Sequence, residues 1–105
     1  FNIKRLYGTN HADVEPLTVK DTAILKDIYG GSWSWDRRPV IVLNNEKAYA
    51  GSMNGMPHGS STIDNGMSGH ICIHFLNSKT HGSNQIDPGH KAAVSTAAAV
   101  GSVKL

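Results

Sequence analysis

The sequence has one cysteine in 105 residues, so an internal disulfide is excluded and the redox compartment stays open. It has no apolar run approaching the roughly 20 residues that a membrane-spanning helix needs. Charged residues amount to only 17%, and no run of Lys or Arg forms a basic footprint for nucleic acid. We therefore expect neither a membrane span nor a nucleic-acid partner, and the oligomeric state stays open.

What the chain does contain is typical of a small, loop-rich globular protein. Hydrophobic residues make up 39%, there are eleven glycines, and the formal net charge is +2. A length of 105 residues suits one modest hydrophobic core, so we predict a single domain spanning residues 1–105. Because the chain begins at Phe1 without a methionine or a signal sequence, we expect it to be a fragment or processed part of a longer protein.

Two stretches carry helix signals. Thr18 suits an N-cap, and Asp21, three residues later, is the acidic residue of a capping box. An apolar stripe follows, and together these signals predict a helix over residues 18–29. Asp87 is followed by proline and then by an alanine-rich segment, which predicts a second helix over residues 88–100.

The remaining segments predict strands and loops. Residues 40–43 and 47–50 are apolar runs on either side of an Asn-Asn-Glu turn, which indicates a β-hairpin. Residues 69–75 alternate at the strand period of two, and residues 1–16 suggest an extended or looped lead-in. We predict an α+β fold with a small, mainly antiparallel sheet. Both helices should cover one sheet face and leave the other lining a cleft.

The strand near residue 72 concentrates the reactive side chains of the chain. Because side chains alternate along a strand, its apolar residues share one face. The opposite face carries two imidazoles and the only thiol of the chain, from His70, His74 and Cys72. A thiol beside imidazoles suits either nucleophilic catalysis or metal binding.

Upstream of this strand, His58 lies between a proline and a glycine, which hold the backbone around it in a defined turn. A return strand can bring His58 to Cys72 as a general base. The backbone N–H groups of Ile71 and Cys72 could then form an oxyanion hole. This pattern indicates acyl transfer through a thioester.

The segments His58-Gly59 and Gly69–His74 together resemble the signature of the L,D-transpeptidase (YkuD-like) family. The resemblance implies a mainly β catalytic domain that acts on the peptide stems of peptidoglycan and needs no cofactor. It implies Cys72 as nucleophile, His58 as base, the Gly59 carbonyl as the group that orients the base, and His70 as the second signature histidine. Residues 33–38, 53–59 and 70–82 are also similar to secreted, wall-associated domains of Gram-positive bacteria, which implies an extracellular or cell-wall location.

Other side chains are candidates for substrate binding. Trp33 and Trp35 place two indoles on one side of an extended segment, as a platform for a glycan or a peptide, although core packing is the simpler interpretation. Arg37 or Arg38 could grip a carboxylate in bidentate fashion. Two further histidines complete the candidates for substrate contact, His74 and His81.

Two alternatives to acyl transfer remain. Zinc could be held by two or more of His58, His70, Cys72 and His74, in a hydrolytic or a structural site, although alternate residues of one strand rarely all reach one ion. His11 and Asp13 could supply a further ligand, but a solvated loop is the simpler interpretation of that segment. The chain could also be a non-catalytic module that binds the cell wall or a partner, with Cys72 as a buried apolar residue.

Overall fold

The computed structural model describes residues 1–7, 11–60, 62–80 and 85–99. In these residues the chain forms five strands and two helices: β1 Ile3–Tyr7, β2 Ala12–Pro16, α1 Val19–Ile28, β3 Ser34–Asn44, β4 Lys47–Gly55, β5 Ile71–His74 and α2 Pro88–Ala98. The prediction of an α+β fold with an antiparallel sheet and two helices packed on it is confirmed.

The five strands form one sheet in the order β1-β2-β5-β4-β3, and each neighbouring pair is antiparallel. The predicted hairpin is formed by β3 and β4, whose two turn residues, Asn45 and Glu46, have positive φ angles of 50° and 65°. Strand β5 occupies the middle of the sheet, where Cys72 lies opposite Asp13 of β2. Residues that are far apart in sequence therefore meet at the centre of the fold.

Helix signals in the sequence agree with the structure. Thr18 caps α1, and its hydroxyl accepts a hydrogen bond from the Asp21 N–H while the Asp21 carboxylate accepts one from the Thr18 N–H. Asp87 caps α2 and accepts a hydrogen bond from the His90 N–H at 2.8 Å. The predicted end of the second helix at residue 100 lies outside the described residues.

The two helices lie on opposite faces of the sheet, so the prediction that both cover one face is wrong. Leu25 of α1 is fully buried in an apolar cluster with Val14 and Ile71 from the sheet. On the other face, Val94 of α2 packs against Ala50 of β4. Since the side chains of successive strand residues alternate, α2 lies on the same face as His70, Cys72 and His74.

Residues 1–16 were expected to be an extended or looped lead-in, and the looped alternative is wrong. Residues 3–7 and 12–16 are strands, and every residue of β2 is buried. The acidic residues Asp13 and Glu15 alternate with apolar ones because they face the reactive side of the sheet, whereas Ala12 and Val14 enter the apolar cluster. A strand whose polar face is buried resembles a solvated segment when only its composition is considered.

No helix among the described residues is long and apolar enough to cross a membrane.

Candidate functional site

A cleft of about 430 Å³ opens on the face of the sheet that carries α2. It is lined by residues from β2 to α2, among them His11, Asp13, His58, His70, Cys72 and His74. Most of these side chains are buried, and His58 is half-buried. A concave site with this many titratable groups is a functional-site candidate on physical grounds.

The central strands place these groups side by side. Asp13 of β2 and Cys72 of β5 are register partners, so their side chains project from the same face. Asn54 near the end of β4 shares that face and donates a hydrogen bond from Nδ2 to the Cys72 sulfur at 2.6 Å. The thiol is thus held between two neighbouring strands.

Cys72 is 5% exposed and is protonated at neutral pH in this environment. Burial raises the pKa of the Cys72 thiol to about 12, and the negative charge of Asp13 acts in the same direction. The hydrogen bond from Asn54 opposes this rise because it favours the thiolate. Nucleophilic attack therefore requires the thiol proton to leave as the sulfur–carbon bond forms.

Three imidazole rings form a continuous stack beside the thiol. His74 lies between His11, at a centroid distance of 4.5 Å, and His90, at 3.7 Å. The pKa of His74 is lowered to about 3, mainly by burial and also by the neighbouring His90 and His11 rings. His74 is therefore neutral at pH 7, and its Nδ1 atom has no hydrogen-bond partner among the described residues.

His58 and His70 are fixed to each other by a two-residue antiparallel bridge. The N–H of each donates to the carbonyl of the other, at 2.9 and 2.8 Å. The bridge needs glycine at two places: Gly59 has φ +66° and its Cβ would collide with the His70 ring, and Gly69 has φ +100° and its Cβ would lie 2.7 Å from the His58 carbonyl oxygen. The Pro-His-Gly turn noted in the sequence therefore positions His70 as well as His58.

Backbone carbonyls set the orientation of three of these rings. The Nδ1 atoms of His11, His58 and His70 each lie 2.8 Å from a carbonyl oxygen, that of Lys79, Met56 and Ser60 respectively. A ring nitrogen can bond a carbonyl only by donating a proton, so all three carry hydrogen at Nδ1. The carbonyl that orients His58 belongs to Met56, whereas the family resemblance implied that of Gly59.

Several of the predicted substrate-binding residues also reach the cleft. Trp35 lines it and stacks on His58 at a centroid distance of 5.2 Å. Arg37 lines it too, and its guanidinium contacts the Asp87 carboxylate at 3.1 Å. An aromatic ring and a cation therefore lie at the same opening as the histidines.

Other predicted residues lie elsewhere. Trp33 is packed against the apolar cluster, with the Lys26 ammonium 5.6 Å from its ring centroid, which agrees with the core-packing interpretation. Arg38 stacks on the Tyr29 ring at 4.8 Å and is not among the residues that line the cleft. His81 lies outside the described residues.

Five of the residues that line the cleft were missed or given a minor role by the sequence interpretation: His11, Asp13, Asn54, Thr80 and His90. The solvated-loop interpretation of His11 and Asp13 is wrong, since they are 9% and 1% exposed. The usable signal was the alternation of polar and apolar residues from His11 to Glu15, which matches a strand with one polar face.

Two groups of described residues could hold a metal ion, and within each group the ligand atoms lie within 4.8 Å of one another. One consists of His11, Cys72 and His74, and the other of Asp13, His58 and His70. The four zinc ligands suggested by the sequence are thus divided between two groups. One group gains His11 and the other gains Asp13, which the sequence offered only as further ligands.

Comparisons with known proteins found no match, whether with protein-family models, with curated sequences or with solved structures.

Proposed function

We propose that the cleft catalyses acyl transfer on a peptide, with Cys72 as the nucleophile. The observation that carries this proposal is the position of the only thiol of the chain at a cleft lined by imidazoles, with an amide N–H directed at its sulfur. His11 and His74 each have a ring nitrogen within 4.8 Å of that sulfur. A thiol, nearby proton acceptors and a donor to the thiolate are the components of covalent catalysis.

The reaction forms a thioester. The thiol proton passes to an imidazole while the sulfur attacks the carbonyl carbon, the amine leaves with that proton, and an amine or water then releases the acyl group. The family resemblance assigns the base to His58, whereas the neutral ring of His74 is among those nearest the sulfur. Substitution of each by glutamine separates these two assignments.

The substrate class follows from the same resemblance and from the cleft opening. Peptidoglycan stem peptides carry carboxylates. Arg37 lines the cleft together with Trp35, and a substrate carboxylate that took the place of Asp87 at its guanidinium would suit such a peptide. Such a substrate implies an extracellular or wall-associated protein from a bacterium.

The test is to incubate the protein with a stem tetrapeptide and measure its intact mass. We expect an increase equal to the acyl group, absent from Cys72→Ala, and we expect Cys72→Ser to react far more slowly. Unimpaired turnover by Cys72→Ala would contradict the proposal. Binding of the peptide without turnover by either protein would favour a non-catalytic wall-binding module.

Zinc-dependent hydrolysis is a second candidate, favoured by the two groups of potential ligands. Zinc accepts imidazole, thiolate and carboxylate ligands, and a zinc ion with an open position activates water. If this candidate is correct, the purified protein holds stoichiometric zinc and loses hydrolysis when a chelator removes it. Full activity of the metal-free protein would exclude it.

A further inference from the structure

We propose that Asp13, His58 and His70 form a binding site for one zinc-type divalent metal ion. Their ligand atoms lie within 4.8 Å of one another in the cleft. Asp13 and His70 are 1% and 4% exposed, so the cost of burying the carboxylate is offset by a cation at this position. Two imidazoles and one carboxylate are a ligand set that zinc prefers.

The tautomers of the two histidines suit coordination. The Nδ1–H groups of His58 and His70 donate to the carbonyls of Met56 and Ser60, so the nitrogen that each ring offers to a metal ion is Nε2. A metal-binding histidine typically donates its other N–H to a carbonyl or a carboxylate in this way. The bridge between the two backbones holds both rings in place before any ion arrives.

The spacing between Asp13 and His70 supports the same conclusion. Asp13 Oδ1 lies 3.7 Å from His70 Nε2, which is beyond the usual length of a hydrogen bond. Two ligands of a tetrahedral zinc ion, each about 2.0–2.1 Å from the metal, are separated by about 3.4 Å. A small contraction of the existing geometry would therefore admit the ion.

His11 fits the role of a supporting residue. Its Nδ1 donates to the Lys79 carbonyl, and its Nε2 lies 3.1 Å from the same Asp13 oxygen. This contact orients the Asp13 carboxylate towards the other two ligands. Carboxylates that bind metals are themselves usually hydrogen-bonded.

The alternative group of His11, Cys72 and His74 is less well prepared for a metal ion. The Cys72 sulfur already accepts a hydrogen bond from Asn54. Only one of its two histidines, His11, has the supporting carbonyl contact, whereas both histidines of the proposed site have one.

The proposed site does not depend on acyl transfer by Cys72, and it specifies the ligands on which the second candidate, zinc-dependent hydrolysis, rests. Three protein ligands leave a fourth tetrahedral position for water or substrate.

The experiment is a titration of the full chain, first stripped of metal, with Zn²⁺ by calorimetry and with Co²⁺ by absorption spectroscopy. We expect one equivalent to bind with a tetrahedral Co²⁺ spectrum. Asp13→Asn and His70→Gln should weaken binding roughly 100-fold or more, because each removes a ligand. The matched control, Asp64→Asn at an exposed position, should bind like the wild type.

Cys72→Ala decides between the two ligand groups. We expect it to bind Zn²⁺ with unchanged affinity and to give the wild-type Co²⁺ spectrum. A thiolate-to-cobalt band in the wild type that disappears in Cys72→Ala would overturn the proposal in favour of the cysteine-containing group, and absence of stoichiometric binding would overturn it outright.

Circular dichroism checks that each variant folds. If Asp13→Asn or His70→Gln does not fold, His58→Gln tests the same site at a less buried ligand. Formation of the acyl-enzyme is scored on the metal-free protein, so a failure of the metal site and a failure of acyl transfer give separate results.

Discussion

The imidazole rings of His74 and His90 stack face to face, with centroids 3.7 Å apart and planes inclined by only 2°. The two residues come from β5 and from the first turn of α2, so the contact joins the centre of the sheet to a helix. The Nδ1 atom of His90 also lies 2.6 Å from the Ser52 hydroxyl, on the next strand. Close parallel stacking of two buried rings favours the neutral form of both.

This stack predicts that the protein loses stability in mild acid. Burial lowers the pKa of His74 to about 3 and that of His90 to about 4, whereas both titrate near 6.5 in the unfolded chain. The unfolded state therefore binds more protons below pH 6.5, and the free energy of unfolding should fall as the pH falls from 6.5 towards 4. The loss should be on the order of 2 kcal/mol per imidazole by pH 5, measured by urea unfolding.

Substitution isolates the contribution of the stack. His90→Gln keeps a polar partner for Ser52 but removes one titrating ring, so its stability should depend less on pH across that range. Lys91→Gln, a substitution at the next and exposed position, serves as the control. Equal pH dependence in His90→Gln and the wild type would show that these rings are not neutral in the folded protein.

Gly59→Ala should destabilise the protein more than a glycine substitution at another position of positive φ. At Gly59 an added Cβ collides with the His70 ring, whereas at Gly30, with φ +72°, it meets no atom within 4 Å. Gly30→Ala therefore measures backbone strain alone, about 1 kcal/mol, and Gly59→Ala adds the collision for a total of about 2–4 kcal/mol. Urea unfolding of both variants tests this, and equal losses would mean that His70 moves away without cost.

Asp87 should contribute to stability mainly as the cap of α2. Asp87→Ala removes the acceptor for the His90 N–H and should cost about 1 kcal/mol. Asp87→Ser keeps the cap and loses only the ion pair with Arg37, whose side chain is 36% exposed, so it should cost well under 1 kcal/mol. Thermal unfolding of the two variants measures the difference, and nearly equal losses would assign the larger contribution to the ion pair.

Native Cys72 should react with iodoacetamide more slowly than a free model thiol at pH 7. Its sulfur is buried and its pKa is raised to about 12, so little thiolate is present in the free protein. The rate should reach that of the model thiol in urea. Fast labelling of the folded protein would show that the surrounding imidazoles stabilise the thiolate before any substrate binds.

Local signals were sufficient to predict the parts of the fold that depend on local interactions. The capping residues Thr18 and Asp87 predicted where both helices begin, and the Asn-Asn-Glu turn predicted the hairpin. Strand β2 was missed because its pairing partners are distant in sequence and because its buried acidic residues look like surface residues. The face on which each helix lies was also mispredicted, since sheet order decides it and no local pattern encodes that order.

The part of the site that was predicted correctly lies on β5 and on the segment bridged to it. His70, Cys72 and His74 share a face as alternation requires, and His58 reaches the same cleft through its bridge to His70. The ring stack and the position of Asp13 could not be predicted, because they depend on which strand lies beside β5. Long-range pairing determines those neighbours, and single-sequence periodicity contains no information about it.

The pairing of β2 with β5 also has a kinetic consequence. Val14 lies opposite Ile71, so more than half of the chain must be closed into a loop before these two central strands can pair. Closing so long a loop costs entropy before any contact compensates for it, which slows folding. Helix α1 and the β3–β4 hairpin can form earlier from local contacts, but the cleft exists only after the first and last thirds of the chain have met.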